Sequence, residues 1–286
     1  MRNDRIVSTI TVGVIALNEH DYLPQLLDDL AKQTFPKEKT QIILVDGLSS
    51  DDTKMIMESY KERYSSCYSD IVVLDNPNKV QPCGWNIVIK HATSDAIVRI
   101  DAHAQLPSDY ISVCVECLNS GEDVCGGPRE NIIDGETPFK RMLLDAETSM
   151  FGSGIASYRH STEERKYVDS VFHGAYRKEV FDKVGLFNET LLRTEDNEIH
   201  YRIREAGYKI CYDPKIHSFY QTRNSLRRML KQKYLNGRWV GKTFFICPKC
   251  LSLFHLVPGV FVLGLILSTV LACLGFGLLL ALLSAF

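Results

Sequence analysis

The chain has 286 residues, enough for one large α/β domain with an appendage or for two ordinary domains. Hydrophobic residues make up 45% and charged residues 24%, which excludes a disordered chain and a small disulfide-framed domain. The formal net charge of −2 joins three unlike parts: residues 1–222 hold all 35 acidic and 25 of the 33 basic residues, residues 223–249 hold the other eight basic residues and no acid, and no charged residue follows Lys249.

In chain order, residues 10–17 form a short apolar run, predicted as a strand, that ends at Asn18-Glu19. Residues 22–33 carry Leu23, Leu26, Leu27 and Leu30 at helical spacing. A second strand over 41–45 ends at Asp46-Gly47 and precedes a helix over 53–64. A third strand over 71–74, a helix over 83–91 and a fourth strand over 96–100 ending at Asp101 complete the pattern. Strands separated by helices predict an open, mostly parallel α/β sheet covered on both faces. Asn18, Glu19, Asp46, Asp101 and His103 gather at the carboxyl ends of these strands, the edge where such sheets bind ligands. Neither GxGxxG nor a Walker loop occurs, which excludes the standard dinucleotide and P-loop sites.

The strand-end residues have definite chemistry. A carboxylate at Asp46 can accept hydrogen bonds from a base N–H or from ribose hydroxyls, and Gly47 permits the turn that follows. Ser49, Ser50, Asp51 and Asp52 read better as caps of the next helix than as ligand groups. In Asp101-Ala-His103, residues i and i+2 of an extended segment point the same way, so a carboxylate and an imidazole can converge on one Mg²⁺ or Mn²⁺ held jointly with a diphosphate. A turn-stabilising Asp beside a surface His would look the same. Residues 194–198 (TEDNE) head a helix ending at Gly207, where acidic groups offset the helix dipole or supply a general base. Gln232 and Arg238-Trp239 lie in the basic stretch, as an interfacial anchor on anionic lipid or as phosphate ligands.

Residues 256–286 are an almost unbroken apolar run, so residues 251–286 are expected to form a transmembrane anchor. As one straight helix the run would be about 46 Å long, more than the ~30 Å hydrocarbon core, so a tilt or bend is expected at Pro258-Gly259 or at Gly275 and Gly277. Two full spans do not fit, and the uncharged end suggests a truncated or divergent C-terminus. No signal peptide is recognised, and the positive charges before the span predict a cytoplasmic soluble part. Nine cysteines in a reducing compartment are expected as thiols, in preference to a zinc site shared by Cys114, Cys117, Cys247 and Cys250.

The motifs in order are 16–19 (ALNE), 45–53 (VDGLSSDDT), 99–104 (RIDAHA), 172–181 (FHGAYRKEVF), 184–189 (VGLFNE), Glu195-Asp196, and Gln232 with Arg238-Trp239. With them the chain resembles the family 2 glycosyltransferases of GT-A fold, and particularly the membrane-bound branch that builds exopolysaccharides such as succinoglycan. The resemblance spans residues 8–240. It implies a nucleotide-binding half over about 8–105, an acceptor half over about 106–222 and a basic juxtamembrane stretch over 223–249.

The resemblance further implies a nucleotide-diphospho-sugar donor, expected as a UDP-sugar, and a divalent cation. Ala16, Asn18, Glu19 and Asp46 would line the nucleoside pocket, Asp101 and His103 would stand in for the metal-binding D-x-D, and Asp196 would match the catalytic base. Gln232, Arg238 and Trp239 would match a Q-x-x-R-W element whose spacing here is longer. The activity implied is inverting transfer to a lipid-linked saccharide in cell-surface glycan synthesis, at the cell membrane and without nucleic acid. The alternatives are transfer to a polyprenyl phosphate and a non-catalytic membrane scaffold. A nucleotidyltransferase would carry a Gly-rich basic loop where residues 17–21 read LNEHD.

Overall fold

The computed structural model describes residues 6–133, 135, 137–149, 163–222 and 225–273. The first half follows the predicted alternation: β1 (Ile10–Ala16), α1 (Leu23–Ala31), β2 (Thr40–Asp46), α2 (Thr53–Tyr64), β3 (Asp70–Asp75), α3 (Gln81–His91) and β4 (Ala96–Asp101). The second half adds β5 (Ala104–Gln105), α4 (Tyr110–Asn119), β6 (Val124–Gly126), β7 (Arg129–Ile132), α5 (Pro138–Thr148), β8 (Lys166–Val168), β9 (Gly174–Arg177) and α6 (Lys178–Val184). It continues through α7 (Glu195–Glu205), β10 (Ile210–Tyr212), β11 (Ser218–Gln221), α8 (Leu226–Ile246) and α9 (Val257–Cys273). The chain divides into two compact units, residues 1–239 and 240–286.

Within the first unit, alternate strand residues serve opposite faces of one sheet, because successive side chains of a strand point to opposite sides. Val12, Val14, Ile42, Leu44, Val98 and Ile100 pack on α1, α2 and α4 through Leu23, Leu26, Leu30, Met57 and Leu118. Ile43, Val45 and Ile97 pack on α3, α6 and α7 through Trp85, Val88, Val180, Ile199 and Ile203. Continuous apolar strands such as β2 are what burial on both faces requires.

The large sheet has the order β3-β2-β1-β4-β9-β6-β10-β8, and a three-stranded sheet has the order β5-β11-β7. β3, β2, β1 and β4 are all parallel, as expected. Beyond β4 the sheet becomes mixed while staying mostly parallel: β9 enters antiparallel between β4 and β6, β6 and β10 again run parallel to β4, and β8 pairs antiparallel with β10. An antiparallel strand can fill the open edge of β4 without the helical crossover that a parallel one needs.

The transmembrane anchor stands unconfirmed, and the expectation of free thiols is corrected in part. No helix among the described residues is long and apolar enough to cross a membrane. Short 3₁₀ turns occupy Pro248–Cys250 and Leu253–Leu256, and α9 starts at Val257 with Pro258 in its first turn, leaving 17 described residues of the apolar run. Residues 274–286, including Gly275 and Gly277, lie outside the described residues. Cys247 and Cys250 form a disulfide where thiols were expected, their Cα atoms 5.5 Å apart, a separation at which the two side chains can be bridged. Cys114 and Cys117 are buried thiols of α4, with the Cys117 sulfur 3.9 Å from that of Cys211.

Candidate active site

Because β2, β1 and β4 are adjacent and parallel, their carboxyl ends form one edge. The register sets Ala16 beside Asp46 and Ile15 beside Asp101. Four of the sequence-predicted positions, Ala16, Asn18, Asp46 and Asp101, therefore lie within one or two residues of a common line.

The loops leaving this edge are tied together. Gly47 N–H donates to the Ala16 carbonyl at 2.8 Å. A Cβ on Gly47 would lie 3.3 Å from that oxygen and 3.1 Å from Leu17 Cβ, which explains a glycine directly after Asp46. Asn18 adopts φ +56°, a left-handed conformation that Asn tolerates better than most residues. Its N–H donates to Ser49 Oγ at 2.9 Å and its Oδ1 accepts from Ser50 N–H at 2.8 Å. Glu19 N–H donates to Thr53 Oγ1 at 2.8 Å. Ser49 and Ser50 thus join the β1 and β2 loops, and Asp52 at the cap position makes no capping side-chain hydrogen bond. Asp51 alone reaches the helix start, accepting from Thr53 N–H at 3.0 Å and contacting the His20 ring at 2.9 Å. Asp46 is buried, and Ser49 N–H approaches its two oxygens at 3.1 and 3.3 Å.

Asp101 is buried at the end of β4, and burial raises its carboxyl pKa while Arg99 and His103 act to lower it. Both ring nitrogens of His103 are buried without a hydrogen-bond partner among the described residues. The Glu19 carboxylate stands 3.3 Å from Nδ1 and the Tyr220 ring packs edge-on at 4.7 Å. Burial opposes protonation of His103, but Tyr220, Glu19 and Asp101 outweigh it and push its pKa up to about 9. Among the described residues no three His, Cys, Asp or Glu side chains group as a metal cage. A buried carboxylate beside an imidazole whose Nε2 has no partner among the described residues, its Nδ1 facing Glu19, nevertheless fits a cation whose other ligands would be diphosphate oxygens and water, and binding would displace the histidine proton.

Asp196 lies in the first turn of α7 and is brought to the strand edge by Arg99, a residue to which the sequence assigned no role. Arg99 lies two residues before Asp101 on β4 and pairs with Asp196, with Glu195 Oε1 4.0 Å away. Its guanidinium is centred 4.7 Å from the Trp85 ring and 5.4 Å from the Phe187 ring. Burial and the Asp196 charge raise the Glu195 pKa, so that carboxyl favours its neutral form. The Arg99 side chain is 4% exposed and that of Asp196 25%, so the ion pair holds a carboxylate at the mouth of the site with a buried cation behind it. The available signal was a single arginine in the otherwise apolar strand AIVRID, since a charge buried in a central strand needs a partner.

The second sheet supplies another layer that sequence reasoning missed. Arg129 on β7 lies 4.2 Å from both the Phe172 and Tyr220 rings, and Tyr220 in turn packs on His103. Gln232, Arg238 and Trp239 all fall on α8. At 100° per residue Gln232 and Trp239 share a face and Arg238 points elsewhere. Arg238 is exposed and the other two are half-buried.

The sequence pattern described as "Glycosyl transferase family 2" matches residues 11–185, the stretch that builds this edge. The succinoglycan biosynthesis protein ExoA of Rhizobium meliloti is 28% identical over 301 residues, covering 99% of this chain and 89% of that protein. A Methanococcus voltae enzyme, dolichyl N-acetyl-alpha-D-glucosaminyl phosphate 3-beta-D-2,3-diacetamido-2,3-dideoxy-beta-D-glucuronosyltransferase, is 24% identical and covers 80% of this chain and 71% of its own. Among solved structures, the mannosyltransferase PcManGT of Pyrobaculum calidifontis, bound to GDP-Man and Mn²⁺, superposes with a TM-score of 0.63 at 15% identity, over 85% of this chain and 66% of its own. Residues 1–349 of TarS from S. aureus in complex with UDP superpose with a TM-score of 0.57 at 16% identity, over 82% of this chain and 65% of that one. The fold is that of GT-A transferases, and the chain belongs to the family 2 glycosyltransferases.

Proposed function

We propose that the protein is an inverting glycosyltransferase that moves a sugar from a nucleotide-diphospho-sugar, a UDP-sugar, to a lipid-linked saccharide at a membrane surface. The observation that carries this reading is the convergence of Asp46, Asp101 with His103, and Asp196 on one strand edge, the last two linked through Arg99.

Asp46 and the tied loops carrying Ala16, Asn18 and Glu19 bind the nucleoside. Asp101 and His103 hold a divalent cation, which when bound offsets negative charge on the departing nucleoside diphosphate. Arg99 aims the Asp196 carboxylate, holding one of its oxygens in the ion pair. Asp196 takes the proton of the acceptor hydroxyl as that oxygen bonds to the anomeric carbon and the bond to the diphosphate oxygen breaks. A single displacement inverts the anomeric configuration, so an α-linked donor gives a β-glycoside.

The tail supports work at a membrane. α8 is basic and free of acids, and it exposes Leu226, Leu230 and Tyr234 at successive turns. The segment 251–286 is proposed as the anchor, with residues 223–249 as a collar on anionic lipid and the catalytic part on the cytoplasmic side. Gln232, Arg238 and Trp239 act in this collar or on the diphosphate. A polyprenyl-phosphate acceptor is the second reading, favoured by 26% identity over 70% of this chain to an undecaprenyl-phosphate 4-deoxy-4-formamido-L-arabinose transferase.

Membranes holding the full chain, incubated with labelled nucleotide sugars, test both readings. Label entering a longer lipid-linked oligosaccharide supports the first, label entering a lipid monophosphate supports the second, and no transfer removes the catalytic reading. Asp196→Asn is expected to keep donor binding and lose transfer, and unchanged transfer removes Asp196 as the base.

A further inference from the structure

Three successive residues of the loop leaving β1 bond to the segment that follows β2. Asn18 meets Ser49 and Ser50, Glu19 N–H meets Thr53 Oγ1, and the His20 ring meets Asp51. The first two links join neutral groups and do not change with pH. The third does, because it runs through an imidazole.

His20 Nδ1 lies 2.9 Å from Asp51 Oδ2, and Nε2 lies 3.0 Å from Asp21 Oδ1. A neutral imidazole carries one N–H, so it would donate to one carboxylate and turn a lone pair toward the other. Only the imidazolium donates to both. The geometry therefore fits the charged ring, held to its own loop by Asp21 and to the second loop by Asp51. The hydrogen bond to Asp51 and then the Asp21 charge raise the His20 pKa above its ordinary 6.5, and Asp52 acts in the same direction. Burial opposes ionisation of Asp51, but hydrogen bonds from Thr53 and His20 outweigh it and push its pKa down.

An ion pair between exposed side chains contributes little when it stands alone. Here the receiving end is fixed: Asp51 is 22% exposed and accepts from Thr53 N–H at 3.0 Å and from Thr53 Oγ1 at 2.5 Å. Thr53 Oγ1 in turn accepts from Glu19 N–H at 2.8 Å. The imidazolium thus closes a ring of contacts that runs through Asp51 and Thr53 back to Glu19, its own neighbour. Loops held in place beforehand bind a ligand at a smaller ordering cost.

We propose that His20 is a positioning residue of the nucleoside site: as an imidazolium it ties the loop carrying Asn18 and Glu19 to the loop that follows Asp46, and so makes nucleotide binding depend on pH. The proposal rests on the catalytic reading above and deepens it. The bridge is complete below pH 6.5. As pH rises through the raised pKa, the ring loses a proton, one of its two bonds is lost and nucleotide affinity falls.

The test uses the full chain in detergent micelles. NMR titration of the histidine rings, with His20 assigned by its loss in His20→Gln, is expected to give a pKa above 6.5 that falls in Asp51→Asn and in Asp21→Asn; a wild-type value at or below 6.5 overturns the bridge. Calorimetric titration with UDP at fixed Mg²⁺, from about pH 5.5 to about pH 9, reads the role. Protons taken up by UDP and by the rest of the site are common to all variants, so wild type is compared with His20→Gln at each pH. Over this range the wild-type affinity is expected to fall by roughly two- to fivefold more than that of His20→Gln. His20→Arg, a cation that does not titrate, should bind without that step, and a step retained in His20→Arg overturns the proposal. Equal profiles in wild type and His20→Gln, with UDP still bound, overturn the role and leave the catalytic reading intact. No UDP binding at any pH, with His20 titrating as expected, overturns it through the catalytic reading.

Discussion

Replacing Arg99 by Met removes a buried cation and leaves its stem. The guanidinium is 4% exposed and faces two carboxylates, in an ion pair with Asp196 and 4.0 Å from Glu195. Breaking a buried pair by deleting one partner costs about 3–5 kcal/mol, because the remaining charge is left uncompensated. At ~2–4 °C per kcal/mol for a domain of this size, the melting temperature should fall by roughly 6–20 °C. Arg99→Met combined with Asp196→Asn should recover part of the loss, and Arg99→Lys should recover more stability than activity, since an ammonium cannot reproduce the planar stacking on Trp85. Thermal unfolding by circular dichroism, with sugar transfer measured on the same preparations, is the assay. An Arg99→Met melting temperature within about 2 °C of wild type, or a double variant less stable than Arg99→Met, would refute the reasoning.

Asp101→Ala should abolish the gain in UDP affinity that Mn²⁺ or Mg²⁺ provides, read by calorimetry with and without the ion, and an unaltered metal response removes Asp101 as a ligand. His200 is buried between the Tyr176 and Ser170 hydroxyls, each 2.8 Å from a ring nitrogen, and burial lowers its pKa to about 4. The unfolded chain takes up that proton near pH 6.5 and the folded chain only near 4, so this contribution to stability is complete above 6.5 and is lost as pH falls towards 4, at about 1.4 kcal/mol per pH unit. His200→Gln should flatten the unfolding free energy in that window, and an unchanged slope assigns it to other groups. At Gly127 a Cβ would lie 2.1 Å from the Ile216 carbonyl oxygen and 2.4 Å from that of Asp213. Backbone must therefore move for any side chain, and Gly127→Ala should cost about 1–3 kcal/mol or more in chemical denaturation, with wild-type stability contradicting the close approach.

Much of the first half was legible because its signals are local. The apolar runs of β1, β2 and β4, the leucine stripe of α1 and the polar residues where each strand stops follow from burial on both faces of a parallel sheet. They fix which residues can meet at the carboxyl edge, since parallel neighbours bring equivalent ends together. Asp46, Asp101 and His103 could be named as chemistry-bearing on that ground alone.

What depended on contacts between distant residues was not legible. The pairing of Arg99 with Asp196 joins positions 97 residues apart, and neither residue's local pattern names the other. The antiparallel entry of β9 depends on which strand fills the open edge of β4, and its four-residue pattern is too short to declare a direction. Ser49 and Ser50 read as helix caps, yet Asn18 in the neighbouring loop competes for the same groups and takes them. Composition likewise showed an apolar tail but not where its helix begins, because the turns before Val257 depend on local geometry around Pro248 and Pro258. Sequence by itself determined the strand edge and the kinds of side chain that end there, since periodicity and burial act over a few residues. Tertiary structure decided which charges are paired and which polar groups face a pocket, since those depend on packing between segments far apart in the chain.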